Sequence, residues 1–565
     1  MTEANNMSDG TGGPSRPSFL ASPQALSTAI LLLGAALVYG VIAFQAVVHG
    51  HTSAEEASYL IRSWWYTNHT VAPYTATDAT GRMPFYFYQL GFWQQLAGLG
   101  EVSSRWVSVA LGLVSGLLLF AICRRLTANT LVAAAAVFML LATPATIVAF
   151  ATATPAATVS ALHLAAIWLI VSSMGRPRPV MTVLMGALLA VLYFYQQHML
   201  LSVIVLAPLY IAAIGRKRAI HTAILVAGMA AVSAAVILSF PERLGQYALR
   251  LPVISPSLGE LGVLAPNFTL IDRGTVGPLT MGPAFDRFSA VTLLDAFILP
   301  YSGILLLALL LFVFARGPLK VLWIAALYFF WLALSHYLAA LGYCADCIAS
   351  YAPTFSAVGA LAAALALAMM GHRLRSSGVP TTPLVVVGAA VAVALNAFAP
   401  NAATLAPYKS FPIPLITAAG PATEWSDMET AARWISANAP AREPVLALHS
   451  LGRENIAGLP YAIFLAGHML PAQSIDPAGT KRSLSPRLSG TAREAVQAAL
   501  EEETLWSDET LARWIGRDVD VIVFQLDKSI DQRAQLAAIA ARFDLASTTS
   551  YKGATLQLYR RKAVQ

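Results

Sequence analysis

Eleven apolar stretches, each long enough to cross a bilayer, occupy residues 25–400, and the polar gaps between them alternate in charge. A bilayer core takes about 20 helical residues to span, and its lack of water leaves such a chain little choice but a helical bundle. The gaps carrying Arg124/Arg125, Arg176/Arg178, Arg216/Lys217/Arg218, Arg316/Lys320 and Arg373/Arg375 hold no Asp or Glu. The intervening gaps are nearly free of Lys and Arg when short, and acidic or mixed when long. Basic loops stay on the cytoplasmic side during insertion. The alternation therefore predicts a cytoplasmic N-terminus and places 50–104, 240–288 and everything after 400 outside. Chemistry is expected on that outer face.

The predicted spans are 25–48, 105–123, 130–149, 155–173, 180–196, 198–215, 219–239, 291–315, 320–340, 351–371 and 382–400. The fifth and sixth share one apolar run, 181–215, broken only by Gln196-Gln197-His198. Reading that run as a single helix would spoil the charge alternation of every later loop, so a hairpin is expected. With 57% hydrophobic and 12% charged residues, the chain departs from soluble proteins, in which about a quarter are charged. The net charge of +7 gives no nucleic-acid signal, because much of the excess sits in the inner loops. Residues 1–24 read as a disordered cytoplasmic tail without a cleavable signal peptide. The expected setting is a bacterial cytoplasmic membrane.

Past 400 the composition changes. Residues 401–420 read as a linker and 421–565 as an α/β domain on the periplasmic side. Ser426 and Glu429 have capping-box spacing ahead of a helix that Asn438-Ala439-Pro440 stops. Val445–Leu448 and Val519–Phe524 read as buried strands, and 545–560, around Lys552-Gly553, as a closing hairpin. Trp506–Ile515 echoes Trp425–Ile435, either as a weak repeat or as two similar helix caps. The fold class is thus a polytopic α-helical membrane protein with a C-terminal extracytoplasmic α/β domain.

The first outer loop is crowded with Trp64, Trp65, Tyr66, Tyr74, Phe85, Tyr86, Phe87, Tyr88, Phe92 and Trp93. Such rings favour the headgroup layer, apolar on one side and wet on the other. Two amphipathic interfacial helices fit, one over 53–67 and one starting at Pro84. Glu55 and Glu56 open the first. Thr52-x-x-Glu55 and Ser53-x-x-Glu56 are capping-box spacings, so capping and catalysis both account for them.

Glu55-Glu56-Ala57-Ser58-Tyr59-Leu60, then Tyr74, Arg82-Met83-Pro84-Phe85-Tyr86, and Gly98–Arg105 leading to Arg124-Arg125-Leu126 resemble the opening of the GT-C glycosyltransferases. The nearer branch includes the lipid A aminoarabinose transferase and the protein O-mannosyltransferases. Tyr351-Ala352-Pro353 is similar to their Tyr…Pro entry to a later span. The resemblance is good over 45–175 and looser to 400. It implies a polyprenyl-phosphate-sugar donor, inversion at the anomeric carbon, and a lipid, glycan or protein acceptor. It puts the catalytic acid on Glu55 and its partner on Glu56, leaving open which reaches the acceptor. A carboxylate suits removal of the acceptor proton, and Arg or Lys suits the departing phosphate. Arg82, Arg243, Arg250 and His198 are the candidate phosphate contacts, with headgroup anchoring or hairpin capping as their plainer roles. Tyr59, Tyr74 and Tyr86 are the candidate aromatic cleft for the acceptor.

The chain departs from the family pattern at Thr154, where an acid precedes proline in relatives, and at Gln196-Gln197-His198, where a Lys is common. Both changes remove charge near the presumed donor site, so the identity of the sugar does not carry over. No cofactor is indicated. A divalent metal is compatible with the chemistry, but Cys344-x-x-Cys347 has no second ligand pair and reads better as a local disulfide. Cys123 reads as buried. The rival functions are a polyprenyl-linked sugar flippase or transporter, and an inactive relative serving as a binding or assembly subunit. The first suffers from the lack of acidic residues inside the spans, where Asp295 near a membrane end is the one candidate.

Overall fold

The computed structural model describes residues 23–49, 54–68, 84–175, 177–196, 199–215, 217–240, 352–376, 378, 380–398, 428–439, 443–449, 452–453, 458–467, 519–526, 533–551 and 554–563. The expected spans 291–315 and 320–340, the linker 401–420, the helix at 506–515 and nearly all of the loop 240–288 lie outside these residues.

The bundle comprises α1 (Pro23–His49), α4 (Glu101–Thr127), α5 (Thr130–Leu141), α6 (Pro144–Phe150), α7 (Ala156–Ser173), α8 (Pro179–Tyr195), α9 (Leu200–Ile214), α10 (Arg218–Leu238), α11 (Ala352–Ser376) and α12 (Thr381–Phe398). Between α1 and α4 lie two short helices, α2 (Ala54–Thr67) and α3 (Phe85–Ala97). Four of these, α1, α4, α7 and α10, are long and apolar enough to cross a membrane, and five shorter apolar helices accompany them. Leu33, Leu37, Leu117, Val180, Ile220 and Leu238 stand exposed on the bundle's surface. A surface that apolar calls for hydrocarbon as its solvent. Inside, Ala43, Leu119, Ala133–Ala136, Leu140, Leu164 and Ala360–Ala366 form one continuous core joining α1, α4, α5, α7 and α11. Cys123 is buried in it.

Two interruptions shape the bundle. The expected span 130–149 is divided into α5 and α6, because Pro144 lacks the N–H that would continue the ladder. The Thr143 hydroxyl donates to the freed turn at the Met139 carbonyl, 2.6 Å away. The run 181–215 is two helices, as the charge alternation requires: α8 ends where Gln196 turns extended, and Met199 N–H closes a turn onto the Gln196 carbonyl. α8 packs most closely on α10, where a Cβ on Gly186 would lie 2.3 Å from the Leu225 carbonyl oxygen. In lipid, where burial of apolar surface gives helices no reason to associate, such backbone contact is a main source of their attraction.

Beyond the bundle lie α13 (Met428–Asn438), β1 (Val445–His449), β2 (Gly452–Arg453), α14 (Gly458–Leu465), β3 (Val521–Leu526), α15 (Arg533–Arg542), β4 (Phe543–Tyr551) and β5 (Ala554–Arg561). The sheet order is β2-β1-β3-β5-β4. β1 and β3 are parallel, with Val445 opposite Val521, and both read as buried apolar runs. β4 and β5 form the antiparallel hairpin expected from 545–560, with a register shift between Leu545 and Ser547. Ala431, Ile435, Val445, Leu459, Ile463, Val521 and Leu556 share a core with Ala57, Leu60 and Ile61 of α2 and with Phe87 and Leu90 of α3. The Trp65 and Phe464 rings meet edge to face at 6.5 Å. The two short helices α2 and α3 thus share one core with the C-terminal unit, α2 meeting α14 directly.

Candidate active site

The site is built on α2, whose first turn carries Glu55 and Glu56. Glu56 is fully buried, and so is Arg105, one turn into α4. Their pairing is bidentate: Arg105 Nε donates to Glu56 Oε1 and an Arg105 terminal nitrogen to Oε2, both at 2.8 Å. The Ala153 N–H donates to Oε1 at 2.7 Å. A second Arg105 nitrogen donates to the Val47 carbonyl at 3.1 Å. One buried charge pair thus ties the end of α1, the start of α2, α4 and the turn before α7 together. Fork-to-carboxylate geometry with further donors on the same oxygens is what makes a buried ion pair tolerable in a dry setting.

α3 lies against α2 at a separation only glycine allows: a Cβ on Gly91 would fall 2.3 Å from the Ser63 carbonyl oxygen. Gln94 bridges the two helices through a hydrogen bond to the Leu60 carbonyl. This packing brings the Tyr59 and Tyr86 rings edge to face at 5.0 Å, with Phe87 at 5.3 Å from Tyr59. The Tyr86 hydroxyl is hydrogen-bonded with Ser108. Burial first, then the neighbouring Tyr59 and the negative Glu56, push the Tyr86 phenol well above its ordinary value, so it stays protonated and able to donate. One turn further along α3, Gln89 receives the Tyr195 hydroxyl at 2.7 Å and hydrogen-bonds Thr158 at 3.1 Å. Phe85 meets Phe194 and Tyr195, each at 5.8 Å, which seats α3 on the C-terminal end of α8.

Of the residues singled out in the sequence, Glu56, Tyr59 and Tyr86 come together here. Glu55 is placed by its backbone alone, in the first turn of α2, about 100° around the helix axis from Glu56. Arg82, Tyr74, His198, Arg243, Arg250, Cys344 and Cys347 lie outside the described residues. Arg105 entered the sequence reading only as the basic residue opening the second span, although an arginine inside an apolar stretch signals a buried acidic partner. Gln89, Thr158 and Tyr195 carried no such signal, being three ordinary polar residues separated by long stretches of chain.

Residues 81–240 match the family model described as dolichyl-phosphate-mannose-protein mannosyltransferase. No curated protein sequence matches the chain significantly. Among solved structures, ArnT of Cupriavidus metallidurans bound to undecaprenyl phosphate matches with a TM-score of 0.57 at 15% identity, covering 94% of this chain and 98% of that one. The apo form of the same ArnT gives 0.57 at 14% identity with the same coverage. An oligosaccharyltransferase of Archaeoglobus fulgidus, in complex with zinc and sulfate, gives 0.49 at 14%, covering 88% of this chain and 68% of that one. At these identities the likeness is one of fold. The chain has the GT-C fold, in agreement with the resemblance carried by Glu55–Leu60 and the segments after it.

Proposed function

We propose that this protein is a multi-pass glycosyltransferase of the cell envelope. It moves a sugar from a polyprenyl-phosphate donor to a hydroxyl of a lipid, glycan or protein acceptor on the outer face, inverting the anomeric centre. The observation that carries the reading is the position of the acid pair. Glu56 is committed to Arg105 and Ala153 at the junction of four segments, and Glu55 is the next residue up the same first helical turn. The fold supports it, since the ArnT structure that this chain resembles holds undecaprenyl phosphate.

In this reading Glu56 positions and Glu55 reacts. Glu55 takes the proton of the acceptor hydroxyl as its oxygen bonds to the anomeric carbon. The bond from that carbon to the phosphate oxygen breaks, and the polyprenyl phosphate departs as an anion. Arg82, Arg243 and Arg250 are the basic residues assigned to it. The C-terminal unit is periplasmic, above the reacting face.

The test is transfer of radiolabel from polyprenyl-phosphate sugars in proteoliposomes, comparing wild type with Glu55→Gln. Loss of a general base should lower turnover by roughly 10² to 10⁴ while donor binding persists. Label that crosses the bilayer still attached to its lipid would point to a flippase. Donor binding without turnover in the wild type would point to an inactive binding subunit.

A further inference from the structure

The end of the bundle opposite the acid pair carries its cations in two different settings. Arg124 and Arg125 lie in the last turn of α4, where Arg125 Nε donates to the Val171 carbonyl at 3.3 Å. Arg375, near the end of α11, donates to Thr381 Oγ1 at 3.4 Å. Positive side chains in such places complement the negative end of a helix. Arg178, Lys217 and Arg218 stand instead at helix starts: Arg178 immediately precedes α8, Lys217 immediately precedes α10, and Arg218 opens it. All three are exposed, and none is paired with another described side chain. We propose that Arg178, Lys217 and Arg218 form a docking lip for the phosphate of an anionic glycerophospholipid, whose acyl chains lie along α8 and α10.

The packing gathers these charges. α8 and α10 run parallel and in step: Thr182 Oγ1 lies 2.7 Å from His221 Nδ1, and one turn on, Gly186 faces the Leu225 carbonyl. Arg178 and Lys217 each precede that polar contact by four residues, so they reach the same level on neighbouring helices, with Arg218 beside them. The protein offers little to neutralise them. The basic gaps hold no Asp or Glu, and the N-terminal tail brings two acids, Glu3 and Asp9, against three cations here and more in the other gaps. The positive helix starts repel them further. Three like charges held together in this way call for an anion. The surface next to the lip tells which kind: Val180, Val183 and Leu184 of α8 and Ile220 and Val226 of α10 stand exposed within about two turns of it. A soluble phosphate would use only the charges, whereas a phospholipid uses the charges and the apolar flank together. A zwitterionic headgroup fits less well, because its own ammonium meets the same cations.

The test is titration of the full-length protein in detergent micelles with phosphatidylglycerol or phosphatidylcholine of matched chains, the bound lipid being counted by native mass spectrometry. Wild type should hold phosphatidylglycerol at least about tenfold more tightly. A cation near an anionic headgroup is worth about fivefold in binding. Arg178→Gln alone should therefore weaken phosphatidylglycerol by about fivefold, and Arg178→Gln/Lys217→Gln/Arg218→Gln by on the order of a hundredfold, with phosphatidylcholine unaffected. Arg176 and Arg216 remain in these variants to keep both loops on their side of the membrane. The charge-matched control Arg124→Gln/Arg125→Gln/Arg375→Gln should retain the preference. Equal losses in the two triple variants would show a diffuse surface charge and overturn the inference. So would a wild type that does not distinguish the two lipids, or one that binds inorganic phosphate as tightly as phosphatidylglycerol. Cations that only serve the fold would lower the unfolding temperature when replaced and leave the lipid preference unchanged, which also refutes the lip.

Discussion

Replacing Arg105 with methionine preserves most of the side-chain volume and removes only the charge and its hydrogen bonds. Glu56, whose side chain is 0% exposed, would then lose both arginine hydrogen bonds and keep that of the Ala153 N–H. Stranding one partner of a buried ion pair costs about 3–5 kcal/mol, a large fraction of the roughly 5–15 kcal/mol that holds a typical protein folded. Glu56→Leu strands the guanidinium instead and should cost a similar amount. The double variant has neither charge, and its remaining penalty is the Ala153 N–H left without its acceptor, about 1–3 kcal/mol. The two single losses should therefore fail to add by several kcal/mol, well beyond the few tenths expected of independent sites. Thermal unfolding of the four proteins in one detergent measures this directly. Activity gives a second readout. If Glu56 positions α2, the double variant recovers part of the turnover that each single variant loses. If Glu56 is itself the base, every protein lacking it stays inactive. Additive stability losses, or an Arg105→Met protein that melts like wild type, would refute the interlocked pair.

Gly91→Ala places a methyl where the Ser63 carbonyl and the Thr67 side chain already stand, and should cost about 1–3 kcal/mol on unfolding by pushing α3 off α2. Phe464→Ala should cost about 3–5 kcal/mol and, because Phe464 meets Trp65 of α2, should lower turnover although it lies on the C-terminal unit. The Tyr86 phenol is raised from an ordinary value of 10.0, so its contribution is intact below that pH. As pH rises past it, the unfolded phenol ionises while the buried one cannot, and stability falls. Tyr86→Phe should blunt that alkaline loss in pH-resolved melting curves. A C-terminal alkaline phosphatase fusion should be active and a fluorescent-protein fusion dark, and the reverse would place the C-terminal unit in the cytoplasm.

The positions of α1, α4, α7 and α10 and the strand pattern of the described C-terminal segments were legible along the chain, because both depend on local periodicity and composition. α4, α7 and α10 begin and end within a few residues of their apolar runs, since the hydrocarbon limits are the sequence limits. The break at Gln196 followed from charge alternation, a constraint that acts during insertion and leaves its mark on every loop. β1, β3 and the β4–β5 hairpin followed from runs of Val, Ile, Leu and Phe between turn residues. The acidic pair, too, was conspicuous as two carboxylates heading an aromatic loop.

What each carboxylate does was not legible, because adjacent helical residues lie about 100° apart around the axis and so meet different surroundings. Only the folded chain shows that Glu56 is carried inward, where an arginine forty-nine positions away and the backbone of Ala153 meet it. The same holds for Gln89, Thr158 and Tyr195, which lie sixty-nine and thirty-seven residues apart in succession and become neighbours when α3 settles across α7 and α8. A periodic pattern records which side of an element is apolar. It carries no term for which polar group across the bundle will satisfy another, since that is set by the crossing of helices whose contacts close only when all of them are in place.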